Sequence, residues 1–233
     1  MDNETDAAAI EAVLRRLGIV LSLEAKHRLA QYVSLLERWQ AAKNLVSAST
    51  LESVWLRHIG DSLQLIPLID AACGPTSEAV TGRAPDPQPS GVDLGSGAGL
   101  PGMVLCLATA DRAPAKRYDM TLIEANQRKV AFLRTVSRET SVPVTTQQQR
   151  IEAANVEAVE FVTGRALAPL PKLVSLAQPW LQLGATGFFH KGVERNRELQ
   201  EWPERDGYRV VEHPSQIDPE SAILQISSCG THT

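Results

Sequence analysis

Cysteine is scarce in this chain. Cys73, Cys106 and Cys229 stand far apart and are odd in number, which argues against both a disulfide framework and a thiolate metal site. No metal is expected. Long apolar runs are missing too; a membrane span needs about 20 mainly apolar residues, and no such stretch exists here, so no membrane partner is expected. The opening residues Met1-Asp2-Asn3-Glu4-Thr5-Asp6 are acidic where a secretory signal is basic, and no apolar region follows them. The expected compartment is the cytoplasm. Positive charge is not in excess either: 23 Lys and Arg stand against 27 Asp and Glu, a formal net charge of −4. Nucleic-acid binders often carry an overall basic domain, so an RNA partner would have to be met by local positive charge.

What is present suits one α/β domain with a modest extension, expected as a monomer. The 233 residues are 43% hydrophobic and 21% charged, ordinary for a globular protein able to bury a sizeable core. Residues 1–70 read as a helical extension. Ile10, Val13, Leu14 and Leu17 form a stripe at helical spacing that Gly18 stops. Ser22 is a candidate N-cap for a second stripe through Leu29, Tyr32, Val33, Leu36 and Trp39, and a third helical region over 50–69 is broken near Gly60 and Pro67. Residues 71–90, with Gly74, Pro75, Gly82, Pro85, Pro87 and Pro89, read as a linker or loop.

From residue 91 to the end, strand-like and helix-like segments alternate. Strands are expected at 91–94, 119–124, 143–147, 158–163, 185–190, 208–212 and 222–227, and helices at 102–110, 127–139, 151–156, 169–181 and 194–201. This alternation calls for a mostly parallel sheet with helices on both faces. The loop around Pro214 and Pro219 is too short for a crossover helix, which makes the final strand antiparallel. The architecture expected is a Rossmann-like α/β fold.

Its first strand, Val92-Asp93-Leu94, runs into Gly95-Ser96-Gly97-Ala98-Gly99, and in such sheets ligands bind beyond the carboxyl end of a strand. Residues 97–102 also satisfy the dinucleotide pattern G-x-G-x-x-G, a weak match alone. Two residues separate the readings. The Asp93 carboxylate would repel a pyrophosphate but favour a cationic or amine-bearing ligand, and Pro101 removes an N–H that a phosphate would use. S-adenosylmethionine carries a sulfonium and an amine, with no phosphate. Glu124 ends the next strand, where a carboxylate can accept ribose hydroxyls, or can merely cap the helix after it.

Several blocks make the chain resemble the bacterial small-subunit ribosomal RNA guanine-N7 methyltransferase family, also called glucose-inhibited division protein B. They are Trp39-Gln40-Ala41-Ala42-Lys43-Asn44-Leu45, Arg57-His58-Ile59-Gly60-Asp61-Ser62-Leu63, the glycine turn through Gly102, Arg128-Lys129-Val130-Ala131-Phe132-Leu133-Arg134, Gly164-Arg165-Ala166-Leu167-Ala168-Pro169-Leu170 and His190-Lys191-Gly192. The likeness covers about 32–227. It implies a class I methyltransferase fold with S-adenosylmethionine as cofactor, and transfer of a methyl group to N7 of a guanine in 16S rRNA near the decoding centre. It also implies cofactor contacts at Gly95, Leu100, Ile151, Glu152 and Arg165, beside the Asp93, Gly97 and Glu124 already reached. Gly60 and His190 depart from the family, which usually has apolar residues there, and the 71–90 stretch is longer than usual.

Guanine N7 carries a free lone pair, so no general base is needed and none is assigned; catalysis rests on positioning. Arg165 reads as a contact to substrate phosphate or as support for the loop beside the cofactor, against a plain ion pair with Asp93 or Glu124. Lys191 reads as a phosphate contact, against a solvated lysine. His58 and Asp61 either line the RNA entrance or dock the N-terminal helices onto the sheet. The basic residues Arg128, Lys129, Arg134 and Arg138 either follow a phosphate backbone or form a solvated helix face. Phe188 and Phe189 suit a buried strand better than a stacking platform. Two other functions compete: methyl transfer to a small molecule or protein, and NAD-dependent oxidoreduction through Gly97, Gly99 and Gly102.

Overall fold

Strand residues that alternate in side-chain direction can serve two cores at once. In the computed structural model, which describes residues 3–43, 53–73, 88–155 and 157–230, adjacent strand residues do so. Leu122, Phe161, Phe188 and Ile223 join one hydrophobic cluster, while Ile123, Val162, Phe189 and Leu224 join another on the opposite face. All of these are at most 1% exposed. Such two-sided burial is what a sheet covered on both faces requires.

All seven strands expected from sequence are present: β1 Ser90–Leu94, β2 Asp119–Ile123, β3 Thr145–Gln147, β4 Phe161–Arg165, β5 Thr186–Lys191, β6 Tyr208–Pro214 and β7 Ala222–Ser228. Their order is β3-β2-β1-β4-β5-β7-β6. β1 to β5 pair in parallel, and β7 pairs antiparallel with both β5 and β6. The short β6–β7 connection allows nothing else. The order reverses at β1 and β4, and the carboxyl ends of those strands open the crevice used by ligands in such sheets.

The first face is covered by α1 (Asn3–Leu17), α2 (Leu23–Lys43), α3 (Ile66–Ala72), α4 (Gly102–Thr109) and α5 (Gln127–Glu139). The second is covered by α6 (Leu170–Gln182), followed by α7 (Arg195–Gln200). Ser22 caps α2 as expected, its Oγ accepting the Ala25 N–H at 3.0 Å. Leu29, Tyr32, Val33 and Leu36 of α2 are all fully buried, so the N-terminal helices share one core with the sheet.

The third helical region runs on through Gly60, where it changes from π to α, and breaks as expected near Pro67, at Gln64–Leu65. Trp55–Gly60 forms a π-helical turn, Asp61–Leu63 follows as a single α-turn, and Pro67 lies in the first turn of α3, where a missing N–H costs nothing. Gly60 has a packing reason: a Cβ there would lie 3.0 Å from Ile217 and 3.1 Å from Val13, so the β6–β7 loop seats on α1. The helix expected at 151–156 is only a 3₁₀ turn, Ile151–Ala153, flanked by extended backbone. Of the 71–90 linker, residues 74–87 lie outside the described residues.

Candidate active site

The chain leaves β1 into a turn that only glycine accommodates easily. Gly95 and Gly97 have φ of +64° and +59°, a region that costs other L-residues about 1–2 kcal/mol. A Cβ on Gly95 would sit 2.6 Å from Leu167 Cδ1, so the loop after β4 lies directly on the turn. At Gly97 a Cβ would meet nothing closer than 3.8 Å, which leaves the backbone open toward the crevice. From the other side, buried Tyr32 of α2 donates its hydroxyl to the Ala98 carbonyl at 2.9 Å.

Asp93 braces this turn from beneath. Its carboxylate is fully buried, accepting the Thr163 hydroxyl at 2.7 Å and the Gly102 N–H at 3.2 Å. It therefore ties β1, β4 and the start of α4 together instead of presenting an oxygen to the crevice. Burial pushes its pKa up to about 6, against the opposing effect of those hydrogen bonds. The same bond decides against a dinucleotide. Gly102 gives its N–H to Asp93, Met103 and Val104 give theirs to the Gly99 carbonyl, and Pro101 has none. The first turn of α4 thus has no donor left for a pyrophosphate.

Glu124 follows β2 and is 9% exposed. Its Oε2 accepts the Gly97 N–H at 2.9 Å and its Oε1 the Asn126 N–H at 2.7 Å, while Asn126 itself caps α5. Each carboxylate oxygen can accept a second bond, so capacity remains for hydroxyls of a ligand over the turn. Leu100 is buried beneath this region, Ile151 packs at the edge of the second core, and Glu152 is exposed beyond it, 3.9 Å from Lys172. An open glycine backbone, a carboxylate at the β2 end and no anion pocket suit a nucleoside without phosphates.

Arg165 does not pair with Asp93 or Glu124. Its Nη1 donates to Asp61 Oδ2 at 2.8 Å and to the Arg57 carbonyl at 3.1 Å, and its Nη2 lies 2.6 Å from His58 Nδ1. A guanidinium can only donate, so His58 Nδ1 must accept and the ring is neutral with its proton on Nε2. Burial, reinforced by the Arg165 charge, lowers the His58 pKa to about 4. His190, beside Arg165 in the β4–β5 register, places Nε2 2.7 Å from the Asp61 carbonyl. That bond puts the proton on Nε2 and leaves buried Nδ1 an unprotonated acceptor without a hydrogen-bond partner. Burial lowers its pKa as well. The π-turn is thus riveted to the ends of β4 and β5. Next to Arg165, Ala166 has φ +51°, a rare conformation for a residue with a Cβ and one that concentrates at functional sites.

Lys191 is engaged inside the chain, contrary to the expected phosphate contact. Its Nζ lies 2.5 Å from Glu198 Oε2 and donates to the Ala168 carbonyl at 3.1 Å, with 10% of the side chain exposed. Glu198 also accepts the Leu170 N–H at 2.9 Å. Lys191 and Glu198 therefore pin the loop 166–169 that covers Gly95. The role of Glu198 was missed from sequence, since only the return of α7 to the start of α6 creates it. Phe188 and Phe189 are fully buried, as expected of core residues. Among the described residues no group of three His, Cys, Asp or Glu could hold a metal ion, and no helix is long and apolar enough to cross a membrane.

A profile of the family described as GidB, rRNA small subunit methyltransferase G, matches residues 25–214. Curated relatives named ribosomal RNA small subunit methyltransferase G include one from Methylobacterium sp. (strain 4-46), 41% identical over 94% of each chain. Another, from Chelativorans sp. (strain BNC1), is 36% identical over 93% of this chain and 95% of its own. Among solved structures, a ribosomal protein L11 methylase from Lactobacillus delbrueckii subsp. bulgaricus superposes with a TM-score of 0.52 over 72% of this chain and 79% of that one. At 12% identity, that likeness speaks for the fold alone.

Proposed function

Because the chain belongs to the rRNA small subunit methyltransferase G family, we propose that it transfers a methyl group from S-adenosylmethionine to N7 of a guanine in 16S rRNA near the decoding centre. The observation that carries the reading is the open turn at Gly97 beside the Glu124 carboxylate, joined to a helix start with no donor left for phosphate. S-adenosylmethionine, when bound, supplies a methyl group made electrophilic by a sulfonium.

The chain's own residues hold and orient. The backbone from Gly95 to Leu100 would form the floor of the cofactor site, Glu124 would accept ribose hydroxyls, and Ile151 with Glu152 would border the adenine. Ionised Asp93 beneath the turn favours a cationic ligand electrostatically. Arg165 is held by Asp61 and His58 at the mouth, so its guanidinium is fixed before substrate arrives. Guanine N7 attacks through its own lone pair, so no side chain need take a proton; burial lowers the proton affinity of His58 and His190, which makes both weak bases. Rate then comes from alignment, which can contribute several kcal/mol. The enzyme acts as a monomer in the cytoplasm, on rRNA or on the small subunit.

The test is nucleoside mass spectrometry of 16S rRNA from cells lacking the gene. Loss of N7-methylguanosine from the decoding-region loop is expected, with restoration by the intact gene. Unchanged N7-methylguanosine refutes the assignment, and methyl transfer to a metabolite but not to small subunits would favour the small-molecule reading.

A further inference from the structure

About half of the Lys and Arg side chains among the described residues have an acid beside them. Lys26 pairs with Glu11 at 2.5 Å, Arg112 with Asp70 at 3.0 Å, Arg195 with Glu212 at 2.8 Å and Arg197 with Glu194 at 3.0 Å. Helix α5 gathers several of the unpaired ones. It carries Arg128, Lys129, Arg134 and Arg138 against a single acid, Glu139, at its last residue. Arg138 takes that acid at 3.1 Å. Arg128, Lys129 and Arg134 have no ion pair among the described residues.

Position gives these charges a direction. Val130, Phe132, Leu133 and Val136 bury the other side of α5, leaving Arg128 and Arg134 exposed. Lys129 reaches back from the first turn, its Nζ 3.9 Å from where a Cβ on Gly97 would stand. Lys129 thus stands at the cofactor turn, while Arg128 and Arg134 flank the exposed side of the helix, about 9 Å apart along its axis at 1.5 Å per residue and about 120° apart around it. In a chain of net charge −4, unpaired cations gathered at the crevice rim are a local attraction for a polyanion.

We infer that Arg128, Lys129 and Arg134 form a phosphate track on α5 that seats the substrate RNA strand beside the methyl-transfer site. This rests on the rRNA reading above and names the surface that reading leaves open. Each contact is sequence-independent and releases counterions, so it is read in the salt dependence of binding. The track positions the strand; it does not select the guanine.

The experiment measures binding of the full-length protein to unmethylated small ribosomal subunits across a salt series, with cofactor affinity and methyl transfer measured in parallel. The double variant Arg128→Gln/Arg134→Gln should bind S-adenosylmethionine as the parent does. The slope of log affinity against log salt should become shallower by about 1.4, at roughly 0.7 per phosphate on a single strand, and by about 2 when Lys129→Gln is added. Arg128→Lys/Arg134→Lys keeps the charge and should keep the slope, and Arg197→Gln, on the far face, should leave it unchanged. An unaltered slope in the double variant with intact methyl transfer overturns the track alone. A reduced slope in an enzyme whose parent form never methylates subunits leaves the track standing and overturns the rRNA reading instead.

Discussion

Replacing Asp93 by asparagine would take a charge out of the protein interior while preserving the shape that holds the glycine turn. Asparagine can still accept the Gly102 N–H through Oδ1 and donate Nδ2 to the Thr163 hydroxyl, the two partners Asp93 has now. The ionisation is lost, and the Thr163 bond reverses, since Thr163 now donates to Asp93 and would accept from the amide. The buried carboxyl titrates near 6 instead of its ordinary 3.8, so at neutral pH the folded state holds an anion it disfavours by about 3 kcal/mol, at 1.36 kcal/mol per tenfold change in proton affinity. The sign follows from proton counting. Between pH 3.8 and about 6 the unfolded chain gives up this proton while the folded chain keeps it, so this residue's contribution to stability falls as pH rises through that window and stays low above it. Urea unfolding at a series of pH values should therefore find Asp93→Asn more stable than the parent above pH 6, by up to about 3 kcal/mol. The difference should shrink as pH falls toward 4. The same variant should bind S-adenosylmethionine more weakly at neutral pH, because the anion beneath a cationic ligand has gone. If the variant is less stable than the parent at pH 7 and its deficit ignores pH, Asp93 is not the strained anion described here.

Gly97→Ala should cost about 1–2 kcal/mol from its left-handed backbone alone, lowering Tm by about 2–8 °C in a chain of this size. Gly95→Ala carries the same cost plus the overlap with Leu167, so its Tm should fall further, and adding Leu167→Ala should recover part of the difference; equal losses at the two glycines would contradict this packing. A double-mutant cycle on Asp61→Ala and Arg165→Ala should give a coupling of about 1–3 kcal/mol in unfolding free energy, as for residues sharing one network, whereas a value near zero would reduce the contact to an ordinary surface pair. His190→Leu should change stability by less than about 1 kcal/mol, since losing the bond to the Asp61 carbonyl is offset by removing a buried ring nitrogen that has no partner; a loss above about 3 kcal/mol would mean His190 is essential to the junction.

The fold was legible because its signals are local and periodic. Short apolar runs at 91–94, 119–124, 158–163 and 185–190 mark strands whatever surrounds them, and the structure places those strands within three residues of these bounds; the short Pro214–Pro219 loop forces the antiparallel end of the sheet. Ser22 announces a helix start through its own side chain, whereas the cap of α5 is Asn126, where the sequence offered Glu124. What failed was also local. Ile151–Ala153 lacked a stripe long enough to propagate a helix, and Gly60 reads as a breaker only if packing is ignored. Its missing Cβ makes room for Ile217, more than 150 residues away along the chain.

The site divides along the same line. The glycine turn was legible because positive φ leaves its mark on the residues themselves. Partners of charged side chains leave no such mark, because an ion pair is chosen by distance in space. Arg165 was weighed against Asp93 and Glu124, the two carboxylates nearest in the strand order, and found Asp61 from the N-terminal extension instead. Lys191 found Glu198, which no strand or motif pointed to. One signal did exist: Arg57-His58 with Asp61, Arg165 and His190 all lay in blocks singled out by resemblance, and one shared node explains why such distant blocks occur together. In that node a neutral imidazole accepts from Arg165 while the Asp61 carboxylate, 2.8 Å from the guanidinium, balances its charge, so the arginine stays pointed without a second cation beside it. A helical extension that only covered the sheet would need apolar contacts alone. Placing Asp61 and His58 on the crevice arginine ties the extension to the site itself, and changes in α1 to α3 should then be felt in methyl transfer before they are felt in folding.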